Sequence, residues 1–316
     1  MNKYDIITFG SASEDVFVFS KEFFNKKLCF PLGDKIEMDK IIIKIGGGGV
    51  NTARTFALQG LRTAYCGSVG EDYAGFSIFL DLKKNHISTK FLKSLDKKTS
   101  NHSVILSKQE EGKAILVYRD ASNYLPKNFD LKKMRTHWFY LAPLGGEFAK
   151  ETKKIINFAN KNKIKVAFNP SKEQINELKK GIKNWLPKID ILLPNEKEAK
   201  MLFGDYKKPE ELFRRIEPYL RGIIVTGEAE GSVAFDGKNI YRAKKLETKI
   251  ADKTGAGDAF DSGFISIFIK TNDIEKSLQF ATANSSACVQ KFGAKEGILR
   301  KGQKYQKVNV KISKLL

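Results

Sequence analysis

The chain has 316 residues, 41% of them hydrophobic and 29% charged, and a formal net charge of +20. That composition is that of a soluble globular protein, and no run reaches the roughly 18–20 apolar residues of a membrane span. Cys29, Cys66 and Cys288 are too few and too widely spaced for a disulfide framework. With no signal-peptide pattern at the N-terminus, they point to the cytoplasm. His86, His102 and His137 are scattered, without CxxC or HExxH, so no zinc site is expected. The lysines are spread along amphipathic stretches such as KKIINFANKNKIKVAF, so the charge reads as a solvated basic surface that attracts small polyanions, not as a nucleic-acid interface.

In chain order, YDIITFG (4–10) predicts a first strand. VNTARTFALQG (50–60) predicts a helix closing at Gly60, TAYCGSVG (63–70) a strand and AGFSIFLDLKKN (74–85) a helix. THWFYLA (136–142), KVAFNP (165–170), DILLPN (190–195) and GIIVTG (222–227) read as strands. Helices are expected over 151–162, from Glu196, and over the long apolar patterns 258–270 and 274–292. The basic tail 300–316 reads as a surface strand. Alternating strands and helices argue for a mostly parallel sheet covered on both faces. Two segments break the rhythm with β-type runs and no helix: VFVF and KIIIKI within 16–44, HSVILS and AILVYR within 100–119. They are expected to form a small β lid over an α/β body made of 1–15, 45–99 and 120–316, above the carboxyl ends of the main sheet.

Two glycine clusters precede helices: IGGGGVNTA (45–53) and TGAGDAF (254–260). Neither is a P-loop, since GxxxxGK[ST] is absent, and neither fits the dinucleotide fingerprint. Exposed amides at a helix start with little side-chain bulk suit an anion, although each cluster also fits a tight strand-to-helix turn. Asp258 distinguishes the second. A carboxylate beside an anion cradle is electrostatically costly unless it takes a proton from an attacking hydroxyl. The amides of Gly255, Ala256 and Gly257 would then offset charge on a transferred phosphoryl group.

GGGGVNTA followed by DKTGAGDAFDSG, together with GSASED, VGEDYAG, LLPNEKEA and VTGEAEGSVAF, resembles the PfkB (ribokinase-like) carbohydrate kinases over nearly the whole chain. The resemblance implies a three-layer α/β/α sandwich with a small β-sheet lid. It also implies ATP-dependent phosphorylation of a hydroxymethyl group on a sugar or nucleoside. Asp258 would be the base, and Gly255, Ala256 and Gly257 the anion hole. Ser13, Asp15, Gly47, Gly48 and Asn51 would line the acceptor site, with Asp15, at the end of the first strand, gripping two hydroxyls. Asn195 and Glu198 would organise Mg2+ through water and contact the nucleotide, a spacing that is equally that of a capping box. Thr226, Gly227, Gly231, Gly257 and Asn284 would complete the nucleotide side. Asp252, Thr254 and the Gly293 loop match positions that hold a monovalent cation such as K+ in some members.

The chain departs from ribokinases at Ser13 (asparagine there), at Gly48 (lysine there) and in lacking an acid after FYLAPLGG, which argues against ribose as acceptor. Val16, Phe17, Phe19, Phe30 and Ile105 offer apolar faces that suit a nucleoside base or form the lid's own core. A homodimer paired through the lid is one assembly open to such a kinase; a non-catalytic ligand-binding or regulatory protein on the same scaffold and a basic nucleic-acid binder are the competing readings.

Overall fold

The computed structural model describes residues 4–21, 23, 33–108, 112–125, 129–228 and 230–315; Cys29 and Phe30 lie outside them. Its strands are β1 (Tyr4–Phe9), β2 (Ser13–Phe19), β3 (Lys40–Gly46), β4 (Thr63–Gly70), β5 (Ser88–Leu95), β6 (Asn101–Lys108), β7 (Gly112–Tyr118), β8 (Thr136–Leu141), β9 (Lys165–Phe168), β10 (Ile191–Leu192), β11 (Ile223–Glu228), β12 (Gly231–Phe235), β13 (Asn239–Lys244) and β14 (Val310–Lys314). Its helices are α1 (Gly48–Leu58), α2 (Tyr73–Lys84), α3 (Gly146–Lys150), α4 (Thr152–Lys161), α5 (Lys172–Lys179), α6 (Ile182–Trp185), α7 (Glu196–Phe203), α8 (Pro209–Ile216), α9 (Ala256–Thr271) and α10 (Ile274–Val289). Among the described residues, no helix is long and apolar enough to cross a membrane.

The pleat explains the layering. Successive strand residues point to opposite faces, so a strand buried on both sides must be apolar throughout. Ile7, Phe139, Leu141, Val166, Phe168 and Ile224 share one core with Ile155 of α4, Ile175 of α5, Leu202 of α7 and Phe213 of α8. Their strand neighbours Ile6, Trp138, Tyr140, Ala167 and Val225 share another with Phe56 of α1, Phe264 and Phe268 of α9 and Leu278 of α10. The result is three layers. The ten-stranded sheet runs β14-β13-β12-β11-β10-β9-β8-β1-β4-β5. It is parallel from β5 to β11, while β12, β13 and β14 extend it antiparallel. The strand expected over 190–195 shrinks to Ile191–Leu192, because Pro194 has no N–H for a ladder. Asp72, Ser171, Asn195 and Asp273 cap α2, α5, α7 and α10 by accepting first-turn amides.

A separate four-stranded sheet has the order β3-β2-β6-β7. Asp15 belongs to it. The backbone leaves the main sheet after Phe9 and β2 starts at Ser13, so Asp15 is not at the end of the first strand, and a boundary at residue 16 falls within a strand. Register separates the two faces of this sheet. Asp15, Phe17 and Phe19 align with Ser103, Ile105 and Ser107 of β6, and these with Val117, Ile115 and Lys113 of β7. On the opposite face Val16 aligns with Ile43, Val104 and, through it, Leu116. Val16 therefore points away from the side on which Asp15 and Phe17 lie, which removes it from any wall around a nucleoside base. The Asp15 face meets the main body through an edge-on contact of Phe19 with Phe292, an ion pair of Lys44 with Glu296 at 3.0 Å and one of Lys113 with Asp252 at 2.7 Å.

Candidate active site

Gly255 caps α9 with φ of 77°, and a Cβ there would lie 2.4 Å from the Ala294 Cβ, so the turn accepts only glycine. That turn presents the first amides of a 16-residue helix. Among the described residues, the N–H groups of Gly255, Gly257 and Asp258 have no protein acceptor, and nothing lies within 4 Å of a Cβ built on Gly257. The Ala256 amide differs from expectation: it donates to Lys253 O at 3.3 Å, closing the turn. Open amides and the positive end of a helix dipole together suit an anion.

Asp258, on this first turn, accepts a 2.8 Å hydrogen bond from Asn51 Nδ2 on α1. Burial pushes its carboxyl above the usual range, the Asn51 bond pulls it back, and the charge of Asp15 adds to the rise. The Asn51 Oδ1 atom is buried with no partner, so it is placed to accept from a hydroxyl. Gly48 lies beside the pair, with the Asp258 Oδ1 3.5 Å from where its Cβ would be. The start of α1 is not a second anion site, because the Gly49 and Gly48 amides are taken by Ser11 O at 3.0 Å and Ser11 Oγ at 3.3 Å. Gly47 presses on the Ser11–Ala12 backbone, and Gly10 and Gly49 meet with no room for a methyl on either.

Asp15 is buried, its Oδ1 accepting from Ser13 Oγ at 2.9 Å. Burial raises its pKa against the bonds from Ser13 and Ser103. A Cβ on Gly46 would fall 1.9 Å from its Oδ2, so glycine there leaves the carboxylate its place.

Asn195 bridges to Gly227 in parallel fashion. Asn195 and Glu198 form a reciprocal capping box, at 2.9 and 3.0 Å. Gly227 has nothing within 4 Å of a Cβ position and Gly231 pairs with Glu228 in the hairpin that follows, whereas Thr226 is fully buried. Asn284 is not brought to the cleft. Its buried amide donates to Ala259 O at 2.7 Å and accepts from Leu299 N at 2.8 Å, so it ties α10 to α9.

Three groups were overlooked in the sequence. Asp261, one turn beyond Asp258, is buried and bonded to the Asn169 amide. Burial, with the charges of Asp258 and Glu198, pushes its carboxyl well up against the pull of Asn169. The hydroxyl of fully buried Tyr140 has no partner and feels the charges of Asp261, Asp258 and Glu198. The second acid of DAFDSG was a visible signal; Asn169 and Tyr140 carried none. No group of three or more potential metal-binding side chains forms among the described residues. Mg2+ keeps most of its waters, however, and does not require such a cluster; the acids whose charges act on one another here are Asp258, Asp261 and Glu198.

The monovalent-cation positions are differently furnished. Asp252 Oδ1 accepts from Lys113 Nζ at 2.7 Å, Thr254 N at 3.0 Å and Thr254 Oγ1 at 2.7 Å, and its Oδ2 accepts from Gly293 N at 3.2 Å. With Lys113 in place, the positive charge that an inorganic cation would bring to Asp252 is already supplied. A cavity of about 870 Å3 beside them is lined by Phe17, Ile105, Phe292, Lys113, Lys249 and Lys253. Another, of about 670 Å3 between α2 and β5, contains none of the groups above.

The sequence pattern of the pfkB carbohydrate kinases matches residues 4–301. The chain belongs to the pfkB family. It is 28% identical over 302 residues to an ATP-dependent 6-phosphofructokinase of Thermoanaerobacterium thermosaccharolyticum, covering 92% of this chain and 90% of that one. Against a ribokinase of Lactococcus lactis it is 29% identical over 275 residues, covering 85% and 86%. The fold is that of Arabidopsis thaliana ribokinase solved with ribose and ATP (TM-score 0.76, 22% identity, 94% and 96% covered). The Methanocaldococcus jannaschii nucleoside kinase shares it (TM-score 0.75, 19% identity, 94% and 96% covered). As a pfkB protein the chain has the three-layer sandwich and small additional sheet that the resemblance implied.

Proposed function

We propose that this pfkB kinase transfers the γ-phosphoryl group of ATP to a hydroxymethyl group of a sugar, with Asp258 taking the hydroxyl proton. The observation that carries the reading is the conjunction at α9. A carboxylate kept basic by burial stands beside unpartnered amides, and Asn51 holds it while keeping one buried oxygen open. Gly255 and Gly257 would receive the terminal phosphate, and Asp15 and Asn51 the acceptor hydroxyls. Asn195, Glu198 and Gly227 would flank the nucleotide. Mg2+, held through water near Glu198, would neutralise phosphate charge. The Asp15-bearing sheet would act as a lid that excludes water from the transfer.

A nucleoside acceptor is the second reading, favoured by the apolar wall of Phe17, Ile105 and Phe292 in the cavity beside Asp252. The apolar face of the small sheet, with Ile41, Ile43 and Leu116 exposed, would be covered by a second copy of the chain. Buried Cys66 and Cys288, both free, agree with a cytoplasmic enzyme. The test is ADP release with ATP, Mg2+ and a panel of sugars, sugar phosphates and nucleosides. An acceptor-dependent rate supports the reading. Background ADP with every acceptor would favour a non-catalytic binder.

A further inference from the structure

We propose that Lys113 is the resident cation of the loop that opens α9: its ammonium group, carried on the small sheet, fills the place at Asp252 and Thr254 that an inorganic monovalent ion would take. The inference rests on the kinase reading for its consequence and on geometry for its substance.

The Asp252 side chain is only 3% exposed and needs a counter-charge. Lys113 Nζ supplies it at 2.7 Å and also donates to Thr254 Oγ1 at 2.8 Å, two residues before the Ala256 start of α9. A lysine suits this work as a compact point charge with three donors. An inorganic ion would need oxygens turned toward it. With Lys113 in place, Asp252 Oδ1 and Thr254 Oγ1 are turned to its ammonium instead, and the Ala294 and Thr254 carbonyls lie 3.3 and 3.7 Å from the Cys288 thiol. Lys249 and Lys253 line the same cavity, so a further cation would enter an already positive surround. Burial works against the Asp252 charge, but the bonds from Lys113, Thr254 and Gly293 outweigh it and hold the carboxyl below its usual range.

The origin of the lysine matters more than its charge. Lys113 pairs with Ser107, which pairs with Phe19, so it shares the face of Asp15 and Phe17 that meets the main body. The cation therefore arrives with the sheet. Docking of the sheet and charge balance at the anion loop are one event, and Lys113 is a positioning residue for the cradle.

The test is ADP release by the full chain in KCl, NaCl or tetramethylammonium chloride at equal ionic strength, so that screening is constant. Wild type is expected to agree within about twofold across the three salts, because the site is filled from within. Lys113→Met should lose about tenfold or more in tetramethylammonium and regain most of it in KCl, which a merely structural lesion would not do. The melting midpoint of the variant, but not of wild type, should rise in KCl over tetramethylammonium. Strong K+ activation of wild type, or a variant indifferent to the salt, would overturn the proposal while leaving the kinase reading intact. If Lys113→Met does not fold, the wild-type salt comparison decides alone. Should wild type release no ADP with any acceptor, the kinase reading fails, and the melting comparison still tests the cation.

Discussion

Gly46 offers a way to disturb Asp15, the proposed grip on the acceptor, without touching the proposed base. A methyl group built there lies 1.9 Å from Asp15 Oδ2 and 2.8 Å from its Cγ, far inside the roughly 3.5–4.0 Å of a comfortable contact. Gly46 is not among the positive-φ residues, so the backbone accepts alanine and the carboxylate must yield. Swinging it aside breaks the 2.9 Å bond from Ser13 and would misdirect the oxygens proposed to meet the acceptor hydroxyls. A hydrogen bond to a charged group contributes about 1.5–3 kcal/mol, and about 1.4 kcal/mol is a factor of ten. Loss of one such bond in Gly46→Ala should thus lower kcat/KM for the acceptor by about ten- to a hundredfold, and loss of two by up to about 10^4-fold. Steady-state ADP release against acceptor concentration measures this, with calorimetric ADP affinity and the melting midpoint as controls. An unchanged acceptor kcat/KM, or a fall in nucleotide affinity as large as that for the acceptor, would refute the assignment of Asp15.

Asp258→Asn should lower kcat by about 10^2–10^4-fold with ADP affinity unaltered, and retained turnover would remove the residue from the base role. As the proposed base Asp258 would act unprotonated, and its carboxyl is raised, so kcat/KM should be complete at higher pH and fall as pH drops through that raised value. Asn51→Leu deletes the bond that holds the carboxyl down. Its acid limb should move to higher pH, and a stationary or lowered limb contradicts the pairing. Ile43→Lys with Leu116→Lys, on the exposed apolar face, should convert a dimer to monomers in sedimentation or light scattering while leaving the melting midpoint within a few degrees. A chain that is monomeric before the change would dismiss the second copy.

The sheet was legible because burial on both faces forces uninterrupted apolar runs, as in TAYCGSVG, every residue of which is buried in β4. Asp258 was legible because a carboxylate after three small residues has few structural excuses. Helix α8 was not assigned, being short and polar on most of its surface. Asp15 could be named but not located, since hydropathy does not mark where β1 gives way to β2. Two further roles depended on partners distant in the chain. Asn284 spends its amide on Ala259 and Leu299, and Lys113 reaches Asp252 across 139 positions. No local pattern reports such a meeting.

The contact of Gly10 with Gly49 has a consequence for how this enzyme can diversify. Where two main chains touch with no space for a methyl, there is no side chain to vary, and mutation there can only break the contact. On the proposed reading, latitude for new acceptors falls instead to side chains of the small sheet that line the cavity beside Asp252, such as Phe17 and Ile105. Grafting that sheet from a relative with another acceptor should carry the preference with it and leave the phosphate chemistry in place.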